Sequence, residues 1–188
     1  MARDGGSHSG GPRPGGARPE ALVHPLEPVF DARSRVLMLG SFPSPKSREV
    51  GFYYGNPQNR FWRVLAALWH ERVPAGATTE ELNAARRDLC LRHRIALWDV
   101  LASCTIVGAS DASITDARPN DLSRITSVAP IRAVFCTGGA AGRYYKRFQE
   151  AQTGIAAQVL PSTSPANARW RLDDLVRAWQ PVRDAAED

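Results

Sequence analysis

Short apolar runs recur along the chain and predict buried strands. They cover residues 35–39, 95–98, 131–136 and 155–160. Runs of this length without polar alternation are typical of strands that are covered on both faces, as in a parallel sheet.

Segments with helical spacing of apolar residues separate the strands. They predict helices over residues 59–69, from Thr78 or Thr79 to about 92, from 120 or 121 to about 128, from 139 to about 149, and over 167–179. The stretch between the first strand and residue 58 is rich in Gly, Pro and Ser and is predicted to be a loop. Strands that alternate with helices indicate an α/β fold, here a three-layer αβα sandwich around a mainly parallel four-stranded sheet.

The length of 188 residues fits one domain, which we place at residues 21–188. Residues 1–20 contain six Gly, three Pro and three Arg and almost no large apolar side chain. Such a segment cannot bury enough surface to offset the entropy lost on ordering, so we predict a disordered tail.

The charge balance permits a nucleic-acid partner without requiring one. The chain has 24 Lys and Arg against 19 Asp and Glu, a net charge of +5. No apolar run approaches the roughly 18–20 residues of a membrane span, and no apolar segment near the N-terminus resembles a signal peptide. We therefore predict a cytoplasmic protein that acts as a monomer without a membrane partner.

The cysteines and histidines do not form a ligand pattern. Cys90, Cys104 and Cys136 are far apart, and the four histidines show no spacing typical of metal ligands. A zinc site or an iron–sulfur cluster requires about four such ligands. We expect neither a metal nor another cofactor, and we interpret the thiols as buried apolar groups in a reducing compartment.

A binding site is expected where the strands end, because ligands of open α/β sheets bind beyond the carboxyl ends of the strands. The residues there are 40–43, Asp99, 137–139 and 161–164. Residues 40–47 approach the phosphate-binding pattern G-x-x-x-x-G-K-[ST], but Pro45 replaces the second glycine and removes a backbone donor. A nucleotide-dependent enzyme is therefore a weaker hypothesis.

The segment Gly-Phe-Tyr-Tyr-Gly-Asn-Pro-Gln-Asn-Arg-Phe-Trp at 51–62 is the richest in candidate chemistry. Aromatic residues beside amides in a loop suit stacking on a planar base and hydrogen bonding to its edge. The alternative is a turn in which Asn59 caps the following helix while Phe61 and Trp62 anchor the core.

This segment, together with Gly40-Ser-Phe-Pro43, resembles the uracil-DNA glycosylase superfamily. Leu160-Pro-Ser-Thr-Ser-Pro-Ala-Asn167 occupies the place of that superfamily's second motif. Two departures are evident. Phe42 stands where the superfamily usually has the Asp or Asn that directs the attacking water, and Leu160 stands where many members have His or Asn. The combined motifs, with Leu-Trp-Asp-Val-Leu at 97–101, are similar to the hypoxanthine-DNA glycosylase branch.

The resemblance implies a monofunctional glycosylase that hydrolyses the N-glycosidic bond of deaminated bases in DNA, most of all hypoxanthine. It implies Asn59 as the catalytic residue and Tyr54 as the aromatic that stacks on the base. We predict that the Ser41 and Phe42 N–H groups donate to the base and that Asn56 reads its edge. For phosphate contacts we predict Ser162, Thr163, Ser164 and Arg60.

Several alternatives remain open. Asn56 and the Ser/Thr run are also compatible with ordinary turns, and Arg60 with a solvated helix surface. The enzyme could instead act on uracil or xanthine, or the protein could bind damaged DNA without catalysis. A lyase that forms a Schiff base would require an activated lysine, for which Lys46 is the candidate.

Overall fold

A computed structural model of the protein describes residues 18–188, with a four-stranded sheet at its centre. Its strands are β2 (Val36–Gly40), β3 (Ile95–Asp99), β6 (Ala133–Thr137) and β7 (Ala157–Leu160), in the order β3-β2-β6-β7. All three pairings are parallel. Every residue of β2 and β3 is buried, which explains why their sequences are continuous apolar runs.

Helices flank this sheet and confirm the predicted α/β sandwich. They are α1 (Pro45–Val50), α2 (Phe61–Leu68), α3 (Thr79–Arg92), α4 (Ser123–Thr126), α5 (Gly139–Phe148), α6 (Glu150–Thr153) and α7 (Leu172–Glu187). Helix α2 packs against α7, and α5 packs against β6 and β7. At the start of α3, the Thr78 hydroxyl accepts from the Glu81 N–H, while the Glu81 carboxylate accepts from the Thr78 N–H. This is the capping box that the sequence predicts.

A second sheet was not predicted. Its strands β1 (Pro19–Val23), β4 (Leu101–Val107) and β5 (Thr115–Pro119) are antiparallel in the order β1-β4-β5. Residues of β1 and β5 are mostly exposed, so backbone pairing forms these strands without an apolar pattern. Pro19 and Glu20, which the prediction assigned to the tail, pair with β4. Residues 1–17 of that tail lie outside the described residues.

Two helices also differ from the prediction. Helix α1 lies within the predicted loop of residues 41–58, where Ser44 caps it and Gly51, at φ 67°, ends it. The last helix begins at Leu172 rather than at residue 167, and continues to Glu187 because Leu175, Trp179 and Val182 extend its buried stripe. Residues 167–171 instead belong to a loop that borders the candidate site.

No helix within residues 18–188 is both long and apolar enough to cross a bilayer. Over the same range, no group of three His, Cys, Asp or Glu side chains is arranged to hold a metal ion.

Candidate active site

A cavity of about 320 Å³ lies at the carboxyl ends of the parallel strands, where the sequence predicts a site. It gathers one residue from the end of each strand or just beyond it: Gly40 in β2, Asp99 in β3, Thr137 in β6 and Ser162 after β7. Its volume lies within the range of small-molecule sites, about 300–1,000 Å³. A larger depression of about 580 Å³ lies along residues 169–178, but its lining contains no residue of the parallel sheet.

The loop after β2 forms one wall of the cavity with Ser41 and Phe42, both of which are buried. Their backbone N–H groups have no hydrogen-bond partner among residues 18–188. The Ser41 hydroxyl donates to Asp111 Oδ1 at 2.8 Å, so the side chain is held while its N–H is free. Unpaired donors at the edge of a closed cavity are suited to an anionic or carbonyl oxygen.

Tyr53 and Tyr54 both line the cavity, whereas Phe52 does not; Tyr53 is almost fully buried, and Tyr54 is the more exposed of the two rings. The Tyr54 backbone adopts φ 49°, an uncommon value for a residue with a side chain. Phe61 covers one face of the ring at a centroid distance of 3.8 Å and 4° between planes, so a base can stack only on the other face. The Tyr54 hydroxyl is 2.8 Å from Thr137 Oγ1. Burial, together with the Asp99 charge, raises the pKa of this hydroxyl, which stays protonated.

Asn59 lines the same cavity just before α2. Its Oδ1 accepts from the Phe61 N–H at 2.9 Å and from the Thr163 hydroxyl at 2.8 Å. Because a backbone N–H can only donate, the atom that faces it must be the amide oxygen, which fixes the orientation of the side chain. The Asn59 NH₂ group has no partner among residues 18–188 and remains available to bind a ligand or a water molecule.

Asn56 also lines the cavity, and its Oδ1 accepts from the Gln58 N–H at 2.9 Å. The backbone carbonyl of Asn56 accepts from the Asn59 N–H at 2.9 Å. Asn56 therefore closes the turn that presents Asn59, and its own NH₂ group has no partner among the described residues. Both interpretations of Asn56, as a turn amide and as a group that reads a base edge, are compatible with this geometry.

The loop of residues 161–171 forms the opposite wall, with Ser162, Thr163 and Ser164 at the cavity. Thr163 is buried, and its hydroxyl contacts Asn59 rather than projecting outward. Ser162 and Ser164 accept local hydrogen bonds from the N–H groups of Ser164 and Ala166. The loop is thus ordered by its own side chains before any ligand binds.

Arg60 lies behind this loop, where it contacts backbone carbonyl groups instead of reaching outward as we had predicted. Its guanidinium donates to the carbonyls of Ser164 at 2.8 Å, Asn167 at 3.0 Å and Thr163 at 3.3 Å, and also to that of Trp170. A guanidinium with this set of acceptors is not free to bind phosphate. The physical reason is geometric: five N–H donors in a fixed fork match several converging carbonyls.

Asp99 and His24 were not among the predicted site residues. Asp99 lines the cavity at the end of β3, and its Oδ2 is 2.8 Å from His24 Nε2. The position of Asp99 at a strand end was visible in the sequence, but nothing in the sequence pairs it with a histidine 75 residues earlier. The pair forms because the segment after β1 runs beside the edge strand β3, where Val29 bridges Leu97 and His24 packs against Phe42 and Trp98.

The lack of a side chain at Gly40 leaves room for the Asp99 carboxylate in the cavity, and Gly40→Ala tests this. A Cβ at residue 40 would lie 2.2 Å from Asp99 Oδ1 and 3.3 Å from the Tyr54 hydroxyl, so the carboxylate would have to move. We expect a loss of about 1–3 kcal/mol in the free energy of unfolding, typical of overpacking, and at least tenfold lower activity. Gly108→Ala is the matched control for the residue change, since it has open space around it although its φ of 60° adds strain. Unchanged activity of Gly40→Ala would contradict this description of the cavity floor.

Comparison with known proteins decides the family. The sequence matches the family model of the Uracil DNA glycosylase superfamily over residues 27–183. The chain belongs to the uracil DNA glycosylase superfamily. The matched residues contain every residue that lines the cavity, whereas His24, which pairs with Asp99, precedes them.

Two relatives and one solved structure are similar to the chain over most of its length. It is 33% identical over 142 residues to a hypoxanthine DNA glycosylase of Methanosarcina acetivorans and 32% identical over 143 residues to one of Methanosarcina barkeri. Each match covers 76% of this chain and 86% of the relative. A solution NMR structure of a candidate uracil DNA glycosylase from Methanosarcina acetivorans superposes with a TM-score of 0.70 at 30% identity, covering 90% of this chain and 100% of the other.

Proposed function

We propose that the protein is a monofunctional DNA glycosylase that excises deaminated bases, hypoxanthine first among them, by hydrolysis of the N-glycosidic bond. The observation that carries this proposal is the cavity in which Tyr54 and the unpaired Asn59 NH₂ group face the free N–H groups of Ser41 and Phe42. Membership of the superfamily and the names of the two relatives support the same reaction and the same base.

In this proposal the base leaves the DNA stack and enters the cavity, which costs a few kcal/mol. The base stacks on the face of the Tyr54 ring that Phe61 does not cover. The N–H groups of Ser41 and Phe42 donate to the O6 carbonyl, where negative charge grows as the bond between C1′ and N9 breaks. Donors that are already in place stabilise this charge without reorganisation.

Asn59 has the second role, the positioning of water. An amide does not take up a proton near neutral pH, so Asn59 cannot be a general base. Its NH₂ group can donate to the oxygen of the attacking water and hold it near C1′, which acts through proximity. The oxygen of the water and one of its hydrogens become the hydroxyl group on C1′. The other proton of the water passes to the departing base. Phe42 supplies no polar side chain for this step.

Lys46 does not fit a Schiff-base mechanism. Its ammonium forms an ion pair with Glu49 at 2.6 Å, and Lys46 is not among the residues that line the cavity. Borohydride treatment during the reaction should therefore trap no covalent adduct with DNA. An adduct that disappears in Lys46→Ala would replace the water mechanism with a lyase mechanism.

The decisive measurement is excision from matched duplexes that carry deoxyinosine, deoxyuridine or deoxyxanthosine, read out by alkaline cleavage at abasic sites. We expect cleavage of the deoxyinosine duplex at the highest rate and none of an undamaged duplex. Preference for deoxyuridine or deoxyxanthosine would keep the reaction and change the substrate. Binding of the deoxyinosine duplex without cleavage at any salt concentration would favour a protein that recognises lesions without catalysis.

We further propose that the protein acts as a monomer in the cytosol. All three cysteines are buried and unpaired, as is usual in reducing compartments. Burial raises the pKa of Cys90 and Cys136 to about 12, so neither thiol is a reactive nucleophile.

A further inference from the structure

The floor of the cavity carries a carboxylate oxygen that no protein group satisfies. Asp99 is only 4% exposed. Its Oδ2 is held by His24, but its Oδ1 has no hydrogen-bond partner among residues 18–188. That oxygen lies against Gly40, close to the Tyr54 hydroxyl. Oδ1 is not sealed inside the protein but open to the cavity, where water or a ligand can donate to it.

His24 determines how Asp99 presents itself. The Leu26 N–H donates to His24 Nδ1 at 3.2 Å, so Nδ1 is an acceptor and the ring proton lies on Nε2. Nε2 therefore donates to Asp99 Oδ2 at 2.8 Å. The His24 side chain is 3% exposed and is fixed among the rings of Phe42 and Trp98. This contact leaves one carboxylate oxygen, Oδ1, for the contents of the cavity.

The edge of a deaminated purine matches this arrangement. Hypoxanthine has a carbonyl at C6 beside an N1–H donor, whereas adenine has an amino group beside an N1 acceptor. Free backbone donors at Ser41 and Phe42 match the carbonyl, and Asp99 Oδ1 matches the N1–H. We propose that Asp99, oriented by His24, selects the base by accepting its N1–H and by repelling the lone pair of adenine N1.

The pairing with His24 also explains why a carboxylate would not favour guanine. Guanine has an N1–H next to an amino group at C2, and a carboxylate with two free oxygens would bind both donors. His24 occupies Oδ2, so only one acceptor remains and the second donor of guanine has no partner. Asp99 is thus a specificity residue that contacts the base, and His24 is a positioning residue that acts through Asp99.

This inference rests on the proposed function, but its first test does not need catalysis. We would measure binding of two free bases to the wild-type protein by calorimetry or tryptophan fluorescence. The first base, 9-methylhypoxanthine, keeps the N1–H and carries its methyl group where the sugar would be attached. The second, 1-methylhypoxanthine, has the same size and lacks the N1–H. We expect at least tenfold weaker binding of the second base, and equal binding would overturn the proposal.

The second test uses Asp99→Asn, in which the amide oxygen accepts from His24 and the NH₂ group faces the base. A donor then meets the N1–H donor of hypoxanthine but matches the N1 acceptor of unsubstituted purine. We expect kcat/KM for deoxyinosine to fall by about 100-fold or more, because a site built for one hydrogen bond rejects the mismatched group strongly. The ratio of the rates for deoxyinosine and for deoxyribosyl-purine should fall at least tenfold.

Matched variants separate this effect from loss of folding. Asp184→Asn makes the same chemical change at an exposed position of α7, where the side chain of Asp184 accepts from Gln180, and should leave both rates unchanged. His24→Gln keeps a donor toward Oδ2 and should retain more selectivity than His24→Ala at a similar melting temperature. If Asp99→Asn lowers both rates equally, Asp99 is not a specificity residue. If the wild type excises no hypoxanthine yet distinguishes the two methylated bases, the proposed function fails and the recognition by Asp99 stands.

Discussion

Asn59→Ala should lower kcat for hypoxanthine excision by about 100- to 1,000-fold while leaving the affinity for DNA that contains an abasic analogue within a few-fold. The reason is that the free NH₂ group of Asn59 would hold the attacking water, whereas the Oδ1 contacts order the surrounding protein. Single-turnover kinetics and a separate binding titration measure the two effects independently. Unchanged turnover would exclude Asn59 as the catalytic residue.

Thr163→Val is the matched control for this experiment. It removes the hydrogen bond that Asn59 Oδ1 receives from Thr163 and leaves the Asn59 amide in place. We expect less than a tenfold decrease in kcat. If Thr163→Val were as damaging as Asn59→Ala, the role of Asn59 would be to hold the loop of residues 161–171, and the water would have to be held by another group.

Arg60→Ala should have the largest effect on stability. Its guanidinium satisfies the carbonyls of four loop residues, Thr163, Ser164, Asn167 and Trp170. Removal takes away four charge-assisted hydrogen bonds; the carbonyls of Thr163, Ser164 and Asn167 each keep a backbone donor, whereas that of Trp170 loses its donor. We expect a loss of about 2–4 kcal/mol in the free energy of unfolding. Excision should fall at least tenfold, since the same loop forms one wall of the cavity. Chemical denaturation and the deoxyinosine assay measure the two effects.

Arg63→Ala distinguishes this structural role from an electrostatic one. Arg63 is exposed on the same helix three residues later, so its removal changes the net charge equally and leaves the loop intact. We expect a change in unfolding free energy within about 0.5 kcal/mol. Arg60→Lys should recover little of the lost stability, because an ammonium cannot reproduce the planar fork. Equal destabilisation by Arg60→Ala and Arg63→Ala would contradict the proposed role of Arg60.

The parallel sheet was predictable from the sequence because its strands are buried on both faces. Residues 36–39 and 95–98 show this as uninterrupted apolar runs, and the capping box at Thr78 marks the start of α3. The antiparallel sheet was not predictable in the same way. Its edge strands β1 and β5 are mostly exposed, so only long-range backbone pairing forms them.

In the candidate site, too, local features were predictable from the sequence and long-range contacts were not. Tyr54 and Asn59 belong to one contiguous motif, and Ser162–Ser164 to another, so the resemblance of these motifs to the superfamily was sufficient to select them. The interactions of Arg60 and Asp99 involve residues about 100 and 75 positions away, respectively. The position of Arg60 in the motif suggested a contact with DNA phosphate, but only the folded chain reveals that carbonyl groups surround its guanidinium. The pairing of Asp99 with His24 was not predictable for the same reason.

The strand order β3-β2-β6-β7 has a consequence for how the cavity forms during folding. Its walls come from Gly40 near one end of the described chain, Asp99 and Thr137 further along, and Ser162 after the last strand, and His24 supports Asp99 from outside the lining. Contacts between such distant positions form slowly, because each requires the closure of a long loop. No short fragment contains the site. A nascent chain therefore cannot act on DNA before β7 has joined the sheet, and activity is acquired together with the complete fold.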